Sequence, residues 1–304
     1  MLRYKEDVRT VAFMTITTLL LIGLWNWGFE LSTPLFAVLF AWQLLMAVVV
    51  AVMVHNHQHL PMWTKKWLNV LTDNWLTVFY GFPIFGWIPT HNSNHHVHIN
   101  REPDYTKTWR YSENNNLVTL LTYPSISGYF QQKVISKYVK ELWHKNRKKF
   151  WMHALQIATL VVWTVGALLI DWRKGLLFVV IPQQVSLFTV LIFNYLQHVH
   201  ADEETKYNSS RNFTGKLLNF ILINNGLHTA HHVAPGVHWS KLPELHAKLE
   251  EKIDPTLNEK RFGWYLFRTY ILAIFIPKMR ATNMRVERMK RVEAQHREQA
   301  GAAV

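Results

Sequence analysis

The chain has 304 residues, 49% of them apolar, with 14 Trp and a formal net charge of +13. So apolar a composition points to a membrane protein, and the absence of cysteine excludes disulfides, thiolate metal ligands and iron–sulfur clusters. The positive charge flanks apolar stretches and fills the tail from Lys278 to Arg297, which suits anionic lipid headgroups rather than nucleic acid.

Arg3, Lys5 and Arg9 precede a first apolar stretch, Thr10 to Trp27. It is too long for a cleavable signal and no small-residue cleavage site follows it, so it is expected to stay as a membrane helix. A turn without Lys or Arg leads to the second stretch, Pro34 to Val54; Phe150 to Ile170 and Gly175 to Leu196 follow. All four approach the roughly 17 to 25 residues a bilayer requires of a helix. Lys140, Lys145, Arg147, Lys148 and Lys149 crowd the entrance to the third, so the positive-inside rule puts the N-terminus, the C-terminus and the polar segments in the cytoplasm. Arg173 and Lys174, between spans three and four, run against this orientation but are outnumbered.

The stretch 67–89 is long enough to cross. Asp73 and Asn74 in its middle, and Gly81, Pro83 and Gly86 after them, instead predict an interfacial or re-entrant segment. Gly263 to Pro277 is short and carries Arg268, which predicts an interfacial amphipathic helix. The expected fold is one all-α integral membrane domain over 1–304. It has four transmembrane helices (about 10–27, 34–54, 150–170 and 175–196), interfacial helices and a cytoplasmic histidine-rich cap (55–149 and 197–304) that holds a di-metal site.

Of 17 histidines, 13 fall in four clusters along the chain. "HNHQH" carries His55, His57 and His59; "HNSNHH" and the residues after it carry His91, His95, His96 and His98. His198 and His200 follow span four, and "HTAHH" with the residues after it carries His228, His231, His232 and His238. Residues four apart on a helix are neighbours, so His55 and His59 project together if span two continues as a helix beyond Val54. Adjacent histidines point about 100 degrees apart, so the rings of a His-His pair can serve two different metals. Two membrane crossings separate the first two clusters from the last two, and an even number returns all of them to one side. Imidazole suits iron, zinc, copper and nickel alike. Eight or nine imidazoles are too many for one structural or catalytic zinc, and two metals side by side absorb them.

In order and spacing, "HNHQH", "HNSNHH" and "HTAHH" resemble the histidine boxes of membrane fatty acid desaturases, within the superfamily of integral-membrane di-iron oxygenases. The resemblance runs from span one through the third box. In "NYLQH", Asn194 and His198 stand where the family's last ligands lie. The resemblance implies two iron ions held by His55, His59, His91, His95, His96, His198, His228, His231 and His232, with Asn194 acting through water. It also implies an O2-dependent enzyme that removes hydrogens from an acyl chain carried by CoA, acyl carrier protein or a lipid, acetylenases included. With no heme-binding His-Pro-Gly-Gly present, electrons are expected from a separate donor such as ferredoxin, rubredoxin or cytochrome b5.

His57 and His98 lie close enough to these positions to replace a neighbour, while His200 and His238 are expected to be supporting or surface residues. Asp202, four residues after His198, and Glu102 and Asp104, after the second box, are candidates to fix ring tautomers. Trp42, Trp75 and Phe193 are candidates to line an acyl tunnel. A hydroxylase using the same cluster is the nearest alternative. Against it, this chain has Trp87 where those enzymes usually carry glutamate, four residues before the second box. A non-catalytic metal-binding or metal-transporting membrane protein is the other alternative, and the low-complexity histidine repeats or mid-span ligands expected of one are absent.

Overall fold

The structure, a computed structural model, describes residues 1–302. Among the described residues, four helices are long and apolar enough to cross a membrane, over Lys5–Glu30, Thr33–His59, Arg147–Ile170 and Trp172–His198. They match the four expected spans. The regular helix of the first is α1 (Val8–Trp27), and the second is α2 (Thr33–His59), with Pro34 in its first turn, where a missing N–H costs nothing. α2 is the central helix. Val49, Val50 and Val54 are wholly buried, and the helix runs unbroken through His59.

After α2, α3 (Lys66–Tyr80) enters between the spans, and the chain turns and comes back. Its partners set its depth. Trp75 Nε1 donates to Thr18 Oγ1 (3.1 Å) in the middle of α1, and Thr159 Oγ1, midway along Arg147–Ile170, donates to Asn74 Oδ1 (3.0 Å). Gly81 closes the helix at φ +83, with Gln183 so near that a Cβ there would lie 2.5 Å from its Cβ. In lipid every backbone group needs a protein partner, and two glutamines from other spans supply them at this tip. Gln183 Nε2 donates to the Val78 carbonyl (2.8 Å), and Gln156 Oε1 accepts from the Phe85 N–H (3.1 Å). The segment is therefore re-entrant and returns the second histidine box to the side of the first.

α4 (Leu117–Lys145) has no counterpart among the expected elements. It is opened by Asn116, whose side chain accepts from the Thr119 N–H while Thr119 Oγ1 accepts from the Asn116 N–H, a reciprocal cap. α5 (Arg147–Ile170) exposes Val161, Val162 and Leu169, as a lipid-facing helix does. Asp171 caps the turn that follows, accepting from the N–H groups of Arg173 and Lys174 (3.0 and 3.1 Å). The fourth span continues through a π-helical stretch, Leu176–Val180, into α6 (Ile181–His198).

Beyond α6, short elements build the cap. A two-residue parallel strand pair joins Asn212–Phe213 to Asn258–Glu259. α7 is His228–Val233. The helical segment Phe262–Phe275 exposes Trp264, Phe267, Ile271 and Ile274 and buries Tyr265, Tyr270 and Ala273, the pattern of a helix lying in an interface. α8 (Met284–Ala302) is held to the cap by Arg288, which donates to Asp202 Oδ1 (2.7 Å) and Glu203 Oε1 (2.9 Å).

Candidate metal centre

Helix geometry decides where the histidines meet. On α2, His55 and His59 stand one turn apart with ring centroids separated by 5.0 Å. The second box lies on a π-helical turn, Ile88–His95, whose wider winding brings positions five apart together. His91 and His96 accordingly place their Nε2 atoms 3.1 Å apart, while His95 turns elsewhere. On α7, His228 and His232 are one α-turn apart with Nε2 atoms 3.0 Å apart, and His231 faces away from them.

Two groups result. His55, His59, His91, His96 and His231 form one; His95, His198, His228 and His232 form the other; within each, the available nitrogens lie within 4.8 Å of one another. These are the nine histidines picked out in the sequence. Each adjacent pair, His95-His96 and His231-His232, sends one ring to each group. The groups abut, with the His96 and His232 ring centroids 4.4 Å apart.

Hydrogen bonding at the far side of two rings fixes their chemistry. His95 Nδ1 lies 2.8 Å from Asp104 Oδ2, and His198 Nδ1 lies 2.9 Å from the Ser209 carbonyl oxygen. Each Nδ1 therefore carries the proton and donates it, which leaves a bare lone pair on Nε2. Yet those two Nε2 atoms face each other at 3.1 Å, and His198 Nε2 is also 3.0 Å from His228 Nε2 and 3.1 Å from His232 Nε2. Lone pairs converging in this way repel unless a cation lies among them.

Burial lowers the basicity of His228, His231 and His232 well below the ordinary histidine range, and neighbouring imidazoles lower it further. The same causes, in the same order, act on His91 and His96. All five are neutral at pH 7 and free to ligate. Burial would raise the Asp104 carboxyl, but His95 and the N–H groups of Thr106 and Asn100 hold it below the usual carboxylate range. Both ring nitrogens of His55, Nε2 of His59 and Nδ1 of His96, His228 and His232 are buried without a hydrogen-bond partner.

These residues fit a metal pair. Two imidazole nitrogens about 2.1 Å from one ion lie about 3.0 Å apart at a right angle and about 3.4 Å apart at the tetrahedral angle. Four nitrogen pairs in the four-histidine group lie 3.0 to 3.1 Å apart, the order of separation expected of ligands that share one ion.

The remaining candidates separate cleanly. His57 points away from both groups: its Nε2 lies 3.2 Å from Asp73 Oδ1 and its Nδ1 accepts from the Met62 N–H (3.3 Å). His98 belongs to neither group. His200 Nε2 reaches the Glu113 carbonyl (2.8 Å), and His238 is buried, stacked on Tyr4 with its Nε2 3.2 Å from Asp7 Oδ1. Of the acidic candidates only Asp104 meets a ring; Glu102 pairs with Lys107 and Asp202 with Arg288. The Ser209 carbonyl was beyond sequence reasoning, because no residue type marks it.

Asn194 lies outside both groups, one turn before His198 on α6. Its Nδ2 donates to Tyr123 Oη (2.6 Å) and to the Thr106 carbonyl (3.4 Å), which leaves its amide oxygen free. Asn194 lines an apolar cavity together with His55 and His91 of one group and His228 of the other; Val52, Trp87 and Phe193 supply apolar wall. Of the expected tunnel aromatics, Phe193 is thus in place. Trp42 and Trp75 are not: Trp42 is exposed at the helix surface, and Trp75 is spent on Phe79, with ring centroids 4.3 Å apart, and on Thr18.

The family model described as "Fatty acid desaturase" matches residues 26–264, well over half of the chain and all three boxes. No curated protein matches it.

Proposed function

The chain belongs to the fatty acid desaturase family, an oxidoreductase family, and from that premise we propose that it is an O2-dependent, membrane-bound acyl desaturase. Its reaction removes hydrogens from an unactivated carbon pair of a fatty acyl chain. One observation carries this reading: the apolar cavity is lined by histidines of both groups, so a chain lying in it can present a carbon to the pair of sites at once.

We assign His55, His59, His91, His96 and His231 to one iron and His95, His198, His228 and His232 to the other, with Asn194 acting on the second through water. Bound there, the irons supply the capacity to activate dioxygen. The protein's residues do the rest. Asp104 and the Ser209 carbonyl hold His95 and His198 in the ligating tautomer. Val52, Trp87 and Phe193 exclude water and fix the depth of the chain, since small displacements of a reacting carbon change the outcome.

The active face is assigned to the cytoplasm on the strength of the basic flanks. There Lys140, Arg147, Lys148 and Lys149 suit lipid headgroups first, and beyond them an acidic electron-donor protein or a phosphorylated acyl carrier. The test is expression in a host with a compatible reductase, followed by mass spectrometry of its lipids and acyl thioesters, with His228→Ala as control. Desaturation predicts new double bonds that vanish in the control. A gain of one oxygen per chain would instead identify a hydroxylase, and unchanged lipids with iron bound would reject the enzymatic reading.

A further inference from the structure

A second, largely apolar groove is lined by Ile181, Val185 and Phe188 of α6 and by Pro124 and Ser125 of α4. From Ile181 to Leu191 the helix advances about 15 Å, at about 1.5 Å per residue. The groove is set against the apolar middle of a membrane span, and Phe188 in its wall is 40% exposed, so it faces the acyl region of the bilayer.

Three observations join this groove to the cavity lined by histidines of both groups. Thr189 and Leu191 belong to the walls of both. On α4, Pro124 borders the groove, and Gln131 and Ile135, seven and eleven residues further on, border the inner cavity. That spacing puts all three on one face of the helix. Gly128 lies between them on the same face, and a Cβ built on it meets no atom within 4 Å. The seam between α4 and α6 is therefore bordered by the groove at one end and by the inner cavity at the other, with open space over Gly128 between them.

We propose that this seam is a lateral portal through which a phospholipid acyl chain, already anchored in the bilayer, slides past Gly128, Thr189 and Leu191 into the inner cavity. The occupant follows from the surroundings: the outer groove is apolar, lies along a helix long and apolar enough to cross a membrane, and shares Thr189 and Leu191 with the cavity. The proposal rests on the desaturase reading for what happens to the chain, while the route itself is read without turnover.

The experiment places the full-length protein in nanodiscs of phosphatidylcholine carrying a mid-chain diazirine. After illumination, labelled peptides are mapped by mass spectrometry. The wild type should carry label in the outer groove, at Val185 and Phe188, and in the inner cavity, at Val52 and Trp87. Gly128→Trp should lower inner labelling at least tenfold and leave outer labelling unchanged. Leu191→Trp, from the opposite wall, should lower inner labelling likewise, and Gly128→Ala should behave as wild type.

Inner labelling that persists in both tryptophan variants would overturn the portal, as would a wild type labelled only outside. So would a soluble diazirine acyl-CoA that labels the inner cavity equally well in wild type and Gly128→Trp while the phospholipid labels neither, which would place entry at the aqueous face. Unsaturation of the same lipids, measured with O2 and a reductant, is scored separately. Its absence despite inner labelling rejects the desaturase reading and leaves the portal standing.

Discussion

Asp104→Asn is the sharpest perturbation of the four-histidine group that leaves every ligand in place. The carboxylate is wholly buried and accepts four hydrogen bonds: from His95 Nδ1 (2.8 Å) and the Asn100 N–H (2.7 Å) on one oxygen, and from the Thr106 N–H (2.7 Å) and Thr106 Oγ1 (2.8 Å) on the other. An asparagine keeps one accepting oxygen and turns an NH2 group toward two donors. At least two hydrogen bonds to a charged group are lost, each contributing about 1.5 to 3 kcal/mol, so the fold should weaken by about 3 kcal/mol or more. His95 also loses the acceptor that keeps its proton on Nδ1. Removing such a partner typically costs about 10- to 100-fold in metal affinity. The assay is metal content by mass spectrometry across a chelator series. The variant should shed one of its two ions at a chelator concentration about 10 to 100 times lower than the wild type, with the ion of the five-histidine group retained. Equal retention of both ions would refute the assignment of His95 as a ligand held by Asp104.

His57→Ala should keep both ions and lose only the contacts with Asp73 and the Met62 N–H, whereas His59→Ala should lose one ion; equal metal loss in the two variants would contradict the placement of His57 outside the groups. Stripped of metal, the protein should lose stability as pH falls. His228, His231 and His232 have folded-state pKa values below the unfolded value of about 6.5, so below that pH the unfolded chain binds more protons and folding must oppose their uptake. This contribution is complete above about pH 6.5 and declines below it. Melting temperatures of chelated protein between pH 5 and 8 measure it, and a flat profile would contradict neutral, buried imidazoles. Gly81→Ala should destabilise the re-entrant tip by at least about 1 kcal/mol, because it adds a positive-φ side chain 2.5 Å from Gln183 Cβ; a lowered melting temperature at unchanged metal content is the expected reading.

Hydropathy and box spacing made the spans and the nine clustered histidines legible, because both are local patterns. α4 escaped notice because it is amphipathic, carries Pro124 and runs through a polar stretch, so its main local sign is the cap at Asn116 and Thr119. Spacing also misled at Asp202. Four residues after His198 would share a helix face, but α6 ends at His198 and Val199 is extended (ψ 131), which frees Asp202 to pair with Arg288 from a distant helix. The division of the second box, with His91 and His96 in one group and His95 in the other, depends on a π turn that no residue type announces. Tautomer control lies partly on a backbone carbonyl, that of Ser209, and so becomes visible only when the chain is folded.

The proposed activity requires a pair of irons held side by side by the nine imidazoles, with Asn194 acting on one through water. X-ray absorption on purified, iron-loaded protein, combined with iron-to-protein stoichiometry, tests this most directly. Two irons per chain, with only nitrogen and oxygen in the first shell and a second iron within a few ångströms, are predicted. One metal per chain, or a single four-coordinate ion with no neighbour, would contradict it.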